Sequence, residues 1–286
     1  MNSPAKVQLE MPDPRDLVDA SRKQKELLSR LTELDSLLVA FSGGADSAYL
    51  AWAAHRVLGE RSLAVTALSP SFSAYDREQA EAYICQTRIG HEFIQTTELQ
   101  NPLYVANNAD RCYHCKAELF TQLDRIAAER GYAAVAYGIN ADDMTDFRPG
   151  HRAAAEHQVL APLLDARLDK AEIRALSHEA GLPTWDRPAS ACLSSRVPYG
   201  TQVTPDVLAR VEAGEAALRA LGFRQFRVRY YGAHARVEID RAELARAFEP
   251  EVLRAIEERL SDAGFSSVTV DPEGYRQGSL NQALKL

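Results

Sequence analysis

Ser36-Leu37-Leu38-Val39-Ala40-Phe41-Ser42-Gly43-Gly44-Ala45-Asp46-Ser47-Ala48 is the stretch that decides the fold. After Ser36 its next five residues, Leu37 to Phe41, are apolar without alternation, the pattern of a short strand buried on both faces. An apolar helix over residues 48–58 follows and stops at Gly59. Between strand and helix lies Ser-Gly-Gly-x-Asp-Ser. The two glycines let backbone N–H groups approach an anion closely. The helix N-terminus adds a partial positive charge, and Ser42 and Ser47 add hydroxyl donors. Asp46 repels phosphate, so its presence points to Mg²⁺ carried with the phosphates. The loop lacks Gly-Lys-Ser/Thr and is not a Walker A motif. The plain alternative is an ordinary strand-to-helix turn; the succession of strand, loop and helix counts against it.

Outward from this stretch the same alternation continues. A helix is expected over residues 15–34 and strands over 63–68, 91–96 and 133–137. Helices are expected over 73–89, closed by Gly90, over 116–130, closed by Gly131, and over 170–180. Strands alternating with helices imply a parallel sheet with helices on both faces. Residues 1–14 read as a mobile lead-in, and residues 183–204, rich in Pro, Ser and Gly, as an ordered connector. Beyond it a helix over 204–221, strands at 226–230 and 235–239, a capping box at Asp240 and Glu243, helices to about residue 260 and a strand at 267–270 form a smaller α/β domain. The expected division is an ATP-binding domain at 1–185, a connector at 186–202 carrying Cys192, and a substrate or oligomerisation domain at 203–286.

The 286 residues are 46% hydrophobic and 26% charged, enough apolar material for a sizeable core. The net charge of −7 argues against a protein that holds nucleic acid by bulk positive charge. There is no apolar run of membrane-spanning length and no signal-peptide pattern, so the expected location is the cytoplasm. Four cysteines there point to thiols or metal ligands rather than disulfides.

Cys112-Tyr113-His114-Cys115 is a C-x-x-C placed just before an expected helix, and Cys192 lies far along the chain. A redox pair would need a thioredoxin-like start, which is absent. A structural zinc site would need a second C-x-x-C. A C-x-x-C with one distant cysteine suits a [4Fe–4S] cluster with one iron left open. Cys192 stands near Arg187 and Arg196, cations that would favour its thiolate. Cys85 reads as a buried core thiol.

Other candidates are weaker. Lys116 at a helix start opposes the dipole, which suits a ligand-binding role, for example on phosphate. Asn140 and Asp143 follow the fourth strand, at the sheet edge where such folds bind nucleotides. Arg227 and Arg229 share one strand face and could hold carboxylates or phosphate, or simply be solvated. Glu212 and Glu215 read as solvent-facing.

Ser42-Gly43-Gly44-Ala45-Asp46-Ser47 resembles the pyrophosphatase loop of the PP-loop ATPases, with their adenine nucleotide alpha hydrolase-like fold. Those enzymes, among them asparagine, GMP and NAD synthetases and tRNA thiolases, split ATP to AMP and pyrophosphate. Further stretches narrow the resemblance: Ser69-Pro70-Ser71-Phe72-Ser73, Arg111 to Lys116, Gly138-Ile139-Asn140-Ala141-Asp142-Asp143, Asp146-Phe147-Arg148-Pro149-Gly150 and Ala191-Cys192-Leu193-Ser194-Ser195-Arg196-Val197-Pro198-Tyr199-Gly200. Over nearly the whole chain it is similar to the LarE family, ATP-dependent sulfur transferases that make the nickel-pincer cofactor of lactate racemase. The resemblance implies Mg²⁺-ATP at residues 42–47 and adenylation of the carboxylates of a pyridinium dicarboxylate mononucleotide. It implies their conversion to thiocarboxylates, homo-oligomers (trimers or hexamers), and Arg227 and Arg229 near the sulfur site. One subtype sacrifices the cysteine at the position of Cys192; the other holds a [4Fe–4S] cluster with three cysteines. Cys112, Cys115 and Cys192 match the second. A tRNA thiolase is the competing expectation, and the acidic balance with no added RNA-binding domain counts against it.

Overall fold

The computed structural model describes residues 14–145, 150–188, 190–276 and 278–280. The lead-in before residue 14 and the Asp146–Pro149 part of the Asp-x-Arg-Pro-Gly stretch lie outside the described residues. The strands are β1 (Leu37–Ala40), β2 (Ser62–Leu68), β3 (His91–Gln95), β4 (Ala134–Tyr137), β5 (Phe226–Tyr231), β6 (His234–Ile239) and β7 (Ser267–Val270). The helices of the first half are α1 (Pro14–Thr32), α2 (Ala45–Leu58), α3 (Ala74–Thr87), α4 (Pro102–Val105), α5 (Arg111–Arg130), α6 (Gly150–Glu156), α7 (Pro162–Asp165) and α8 (Lys170–Glu179). Those of the second half are α9 (Pro205–Ala220), α10 (Arg241–Ala247) and α11 (Pro250–Asp262).

The first four strands form one parallel sheet in the order β3-β2-β1-β4. The fold class is therefore α/β with helices on both faces, as the alternation implies. All four residues of β1 are buried, and they divide by parity. Leu37 and Val39 pack with α1, α2 and α8 in one core, whereas Leu38 and Ala40 pack with Phe120, Leu123 and Ile126 of α5 in the other. A strand clad on both sides has no polar face, which is why its sequence shows no alternation.

The last three strands form a separate sheet, β5-β6-β7, antiparallel between β5 and β6 and parallel between β6 and β7. Phe226, Val228, Val237 and Ile239 close on Leu218, Phe223, Ile256, Leu260 and Phe265 from its helices and their flanks. Arg227 and Arg229 share the opposite face of β5, as their spacing requires, and both are buried.

Several local expectations change. The C-x-x-C lies inside the first turn of α5 rather than before it, so Cys112 and Cys115 share one helix face. Helix α3 ends on Arg88 in the left-handed region (φ 56°), not on Gly90. Asp240 does cap α10, accepting from the Ala242 N–H, but Glu243 reaches across to the Arg224 N–H instead of closing a capping box. A true capping box forms at Asp169 and Glu172, at the start of α8. Cys85 is exposed, because α3 turns only Asp76, Ala80 and Tyr83 inward. Glu215 is buried in an ion pair with Arg196, not solvent-facing. Glu212 accepts from the Ala74 N–H, bracing the start of α3.

Gly138 fixes how closely β4 and α2 approach. A Cβ on Gly138 would stand 2.7 Å from the Ser47 nitrogen and 2.8 Å from its Cα. Only a residue without a side chain fits there. Gly138→Ala is expected to lower stability by ~1–3 kcal/mol through forced displacement of α2, measured as a shift in urea midpoint with unchanged slope.

Candidate functional site

Residues 42–47 sit at the carboxyl end of the central strand β1, where the sheet runs outward to β2 on one side and β4 on the other. Ligands of open α/β sheets bind at such switch points. Gly43 turns the chain at φ +73°, in the left-handed region that glycine tolerates. Gly44 caps α2 with an extended backbone, and a Cβ there would meet only the Ser42 hydroxyl, at 3.5 Å. The Ser42 and Ser47 hydroxyls lie 3.1 Å apart, and the Ser47 hydroxyl donates to the Gly44 carbonyl at 3.1 Å. The loop is thus closed on itself, with α2's N-terminus behind it.

Asp46, Asn140 and Asp143 come together across α2 and the loop after β4. Burial, then the nearby Asp143 charge, pushes the Asp46 carboxyl up to about 6, against the pull of Lys170, Arg174 and a hydrogen bond from Asn140. Asp143 is buried and pairs with Lys170 at 2.9 Å. Two carboxylates held this close in a partly dry site suit a divalent cation, which would relieve their repulsion.

The connector carrying Cys192 lies against the segment before α5. Asn107, at φ 56°, donates through its Nδ2 to the carbonyls of Pro198 (2.8 Å) and Thr201 (2.9 Å). The Tyr104 hydroxyl and the Ser194 hydroxyl are 2.6 Å apart. Arg111 is buried and donates to Asn107 Oδ1 at 2.6 Å and to the Ser194 carbonyl at 2.7 Å. Its guanidinium also points at the Cys112 sulfur, 3.8 Å away. Leu193 joins Tyr104, Val197, Val203 and Leu208 in an apolar cluster against which Cys115 packs.

These contacts bring Cys112, Cys115 and Cys192 into one neighbourhood. Burial pushes the Cys115 thiol up strongly, and the nearness of Cys192, then Glu98, adds to it. Burial disfavours the Arg111 charge, yet the neighbouring Cys192, Cys112 and Tyr104 outweigh it and raise its pKa. Lys116 stands beside this group, its ammonium 5.8 Å from the Phe120 ring centre and its charge favouring a Cys115 thiolate. Arg187 pairs with Asp76, while Arg196 pairs with Glu215 and also donates to the Cys192 carbonyl at 3.0 Å, so of the two cations expected near Cys192 it is Arg196 that touches that residue. Arg111, to which its sequence context gives no role, is a further buried cation beside Cys112 and Cys192. Among the described residues, no three His, Cys, Asp or Glu side chains close on a point that would suit a single metal ion. The three thiols are the donor type that an iron–sulfur cluster takes.

On the small sheet, Arg229 pairs with Glu238, which is fully buried, at 2.7 Å and donates to the Ser195 carbonyl at 2.9 Å. Burial, then repulsion from Arg196, pulls Arg227 down to about 10. Its guanidinium lies over the Tyr275 ring at 4.9 Å. A cleft of about 320 Å³ joins α3, the connector and β5, lined among others by Asp76, Arg187, Ser190, Arg196, Glu215 and Arg227. Arginines held buried beside a cleft suit a ligand bearing carboxylates or phosphate. Among the described residues no helix is long and apolar enough to cross a membrane.

No family model matches the chain. Curated proteins do. The chain is 42% identical over 262 residues to an uncharacterized protein of Synechocystis sp., covering 92% of this chain and 98% of that one. It is 37% identical over 267 residues to the pyridinium-3,5-bisthiocarboxylic acid mononucleotide synthase of Lactiplantibacillus plantarum, covering 92% and 95%. An uncharacterized protein of Methanocaldococcus jannaschii matches at 26% over 254 residues, covering 89% and 96%.

The raised Asp46 pKa has a measurable sign. Between about pH 4 and pH 6 the native chain holds a proton that the unfolded chain, near 3.8, has released. Unfolding free energy from this group therefore falls as pH rises through that window. Without divalent cations, the stability of Asp46→Asn relative to the unsubstituted protein is expected to rise from pH 4 to pH 7, read from urea midpoints.

Proposed function

The chain belongs to the pyridinium-3,5-bisthiocarboxylic acid mononucleotide synthase (LarE) family, and on that premise we propose that it is an enzyme converting the carboxylates of a pyridinium dicarboxylate mononucleotide to thiocarboxylates at the expense of ATP. The observation that carries the reading is one chain holding a phosphate-type loop at a sheet switch point and Cys112, Cys115 and Cys192 near one another, with an arginine-lined cleft beside the connector.

In this reading ATP lies on Ser42, Gly43, Gly44 and Ser47, with Mg²⁺ held by Asp46 and by Asp143 beside Asn140. A carboxylate oxygen of the substrate attacks the α-phosphorus, and pyrophosphate leaves on the loop. The acyl-adenylate carries a good leaving group, so attack by sulfur on the acyl carbon expels AMP and leaves the thiocarboxylate. Arg227, with Arg196 and Arg229 behind it, supplies fixed positive charge for the second carboxylate or the phosphate of the substrate. Cys112, Cys115 and Cys192 would hold a [4Fe–4S] cluster, which would supply sulfide-level sulfur for that attack. Arg111 offsets the negative charge of three thiolates from within the wall of the pocket. Residues 1–185 form the ATP-binding part, 186–202 the sulfur-bearing connector and 203–286 the substrate or oligomerisation part.

The test is anaerobic purification with iron content and absorption spectrum, followed by assay with ATP and pyridinium-3,5-dicarboxylate mononucleotide. The expected result is bound iron, pyrophosphate release and repeated formation of thiocarboxylate. Cys192→Ala is expected to lose at least the roughly 10–100-fold that removing even an outer-shell partner costs a metal site. An iron-free protein that loses the mass of one sulfur per chain on turnover would replace the cluster by Cys192 itself as donor. Co-purified tRNA with salt-sensitive binding would move the substrate to RNA.

A further inference from the structure

The chain leading to Cys192 is pinned to the ATP-binding sheet at successive points. Arg174 of α8 donates to the carbonyls of Trp185 (2.7 Å) and Arg187 (2.6 Å). Arg187 then turns back across the site. Its Nη2 donates to Asp76 Oδ1 at 2.7 Å, and its Nη1 donates to the Gly43 carbonyl at 2.5 Å. The Ser190 hydroxyl donates to the same Asp76 carboxylate at 3.1 Å. The Leu193 N–H donates to the Ser71 carbonyl at 2.9 Å. Asp76 is itself fixed at the start of α3 by the Ser73 hydroxyl, 2.7 Å away.

Gly43 is where this network meets the phosphate loop. A Cβ there would stand 3.2 Å from Arg187 Nη1, so the guanidinium fills the space a side chain would need. The Gly43–Gly44 peptide is trans, and its C=O and N–H therefore point in opposite directions. The oxygen accepts from Arg187; the N–H points away from it. An anion taken by that N–H strengthens the carbonyl as an acceptor, because hydrogen bonds in series polarise one another. Arg187 shares its other edge with Asp76, which Ser190, two residues before Cys192, also grips. Only a planar fork can bridge a loop carbonyl and a carboxylate in this way; a lysine offers a single point.

We propose that Arg187 is a positioning residue that couples occupancy of the phosphate loop to the placement of Cys192, so that the sulfur-bearing connector is held in register when phosphate is bound. The inference rests on the reading of residues 42–47 as the ATP loop. It assigns Arg187 no contact with the reacting atoms.

Hydrogen–deuterium exchange of the full chain with and without Mg²⁺-ATP tests it. In the unsubstituted protein ATP is expected to slow exchange both in the loop at 42–47 and in the connector at 188–196, the latter on the order of fivefold, as for one net hydrogen bond. In Arg187→Gln the loop keeps its ATP protection while the connector loses its own, and Arg187→Lys falls between. In the coupled assay, Arg187→Gln is expected to yield about tenfold or more less thiocarboxylate per pyrophosphate released, the scale of an ångström-sized misplacement. Equal connector protection in Arg187→Gln and the unsubstituted protein overturns the proposal, as does an unprotected connector in the unsubstituted protein. No ATP protection of residues 42–47 overturns instead the ATP reading beneath it. A variant that is merely less stable would lose protection everywhere with or without ATP, and that outcome also overturns the coupling.

Discussion

The structure depends on how closely two stretches of backbone approach. Gly138 at the end of β4 lies against the Asp46–Ser47 peptide at the start of α2, with no room for a side chain between them. That contact brings the loop after β1 and the loop after β4 to one point on the sheet edge. It sets the Asp46 carboxylate opposite Asp143 and gives the site its electrostatic character. Without it the sheet could keep its strand order and still have no site.

A second constraint acts on the connector. Among the described residues of 185–203 there is no strand and only one short helical turn, at Leu193–Arg196, so little regular structure holds them. Side chains do so instead. Asn107 binds the carbonyls of Pro198 and Thr201, and Arg196 donates to the Ala191 and Cys192 carbonyls while pairing with Glu215. Arg229 takes the Ser195 carbonyl. Buried backbone without secondary structure needs such partners, and the sequence concentrates Arg and Asn where they are required. The same bonds that satisfy the backbone also place the cysteine.

The parts of this arrangement legible in the sequence are those whose cause is local. The buried strand at Leu37–Ala40, the glycine at positive φ and the alternation of Arg227 and Arg229 each follow from neighbours in the chain. What escaped was set by distant partners. Glu215 looks like a solvated helix residue until Arg196 arrives from the connector. Arg111 looks like an ordinary helix start until the Ser194 carbonyl and the Cys112 and Cys192 thiols come beside it. Asn107 gave a weak signal, since Asn is among the few residues that tolerate the left-handed region, but nothing in its sequence context named the carbonyls it would bind. Cys85 is exposed because α3 is largely exposed, and a free cysteine follows its helix face rather than its usual preference for burial.

The placement of the three cysteines has a consequence for how the protein matures. Cys112 and Cys115 share a single helical turn and are neighbours as soon as that turn forms. Cys192 reaches them through non-local contacts, among them those of Tyr104, Asn107 and Arg111 with the connector. Such contacts form late, after loop-closure entropy has been overcome. If the three thiols hold a cluster, as proposed, its iron would be inserted into a chain already folded, unlike a zinc finger, where the metal organises the polypeptide. Apoprotein made without iron would then hold its shape, ready for loading.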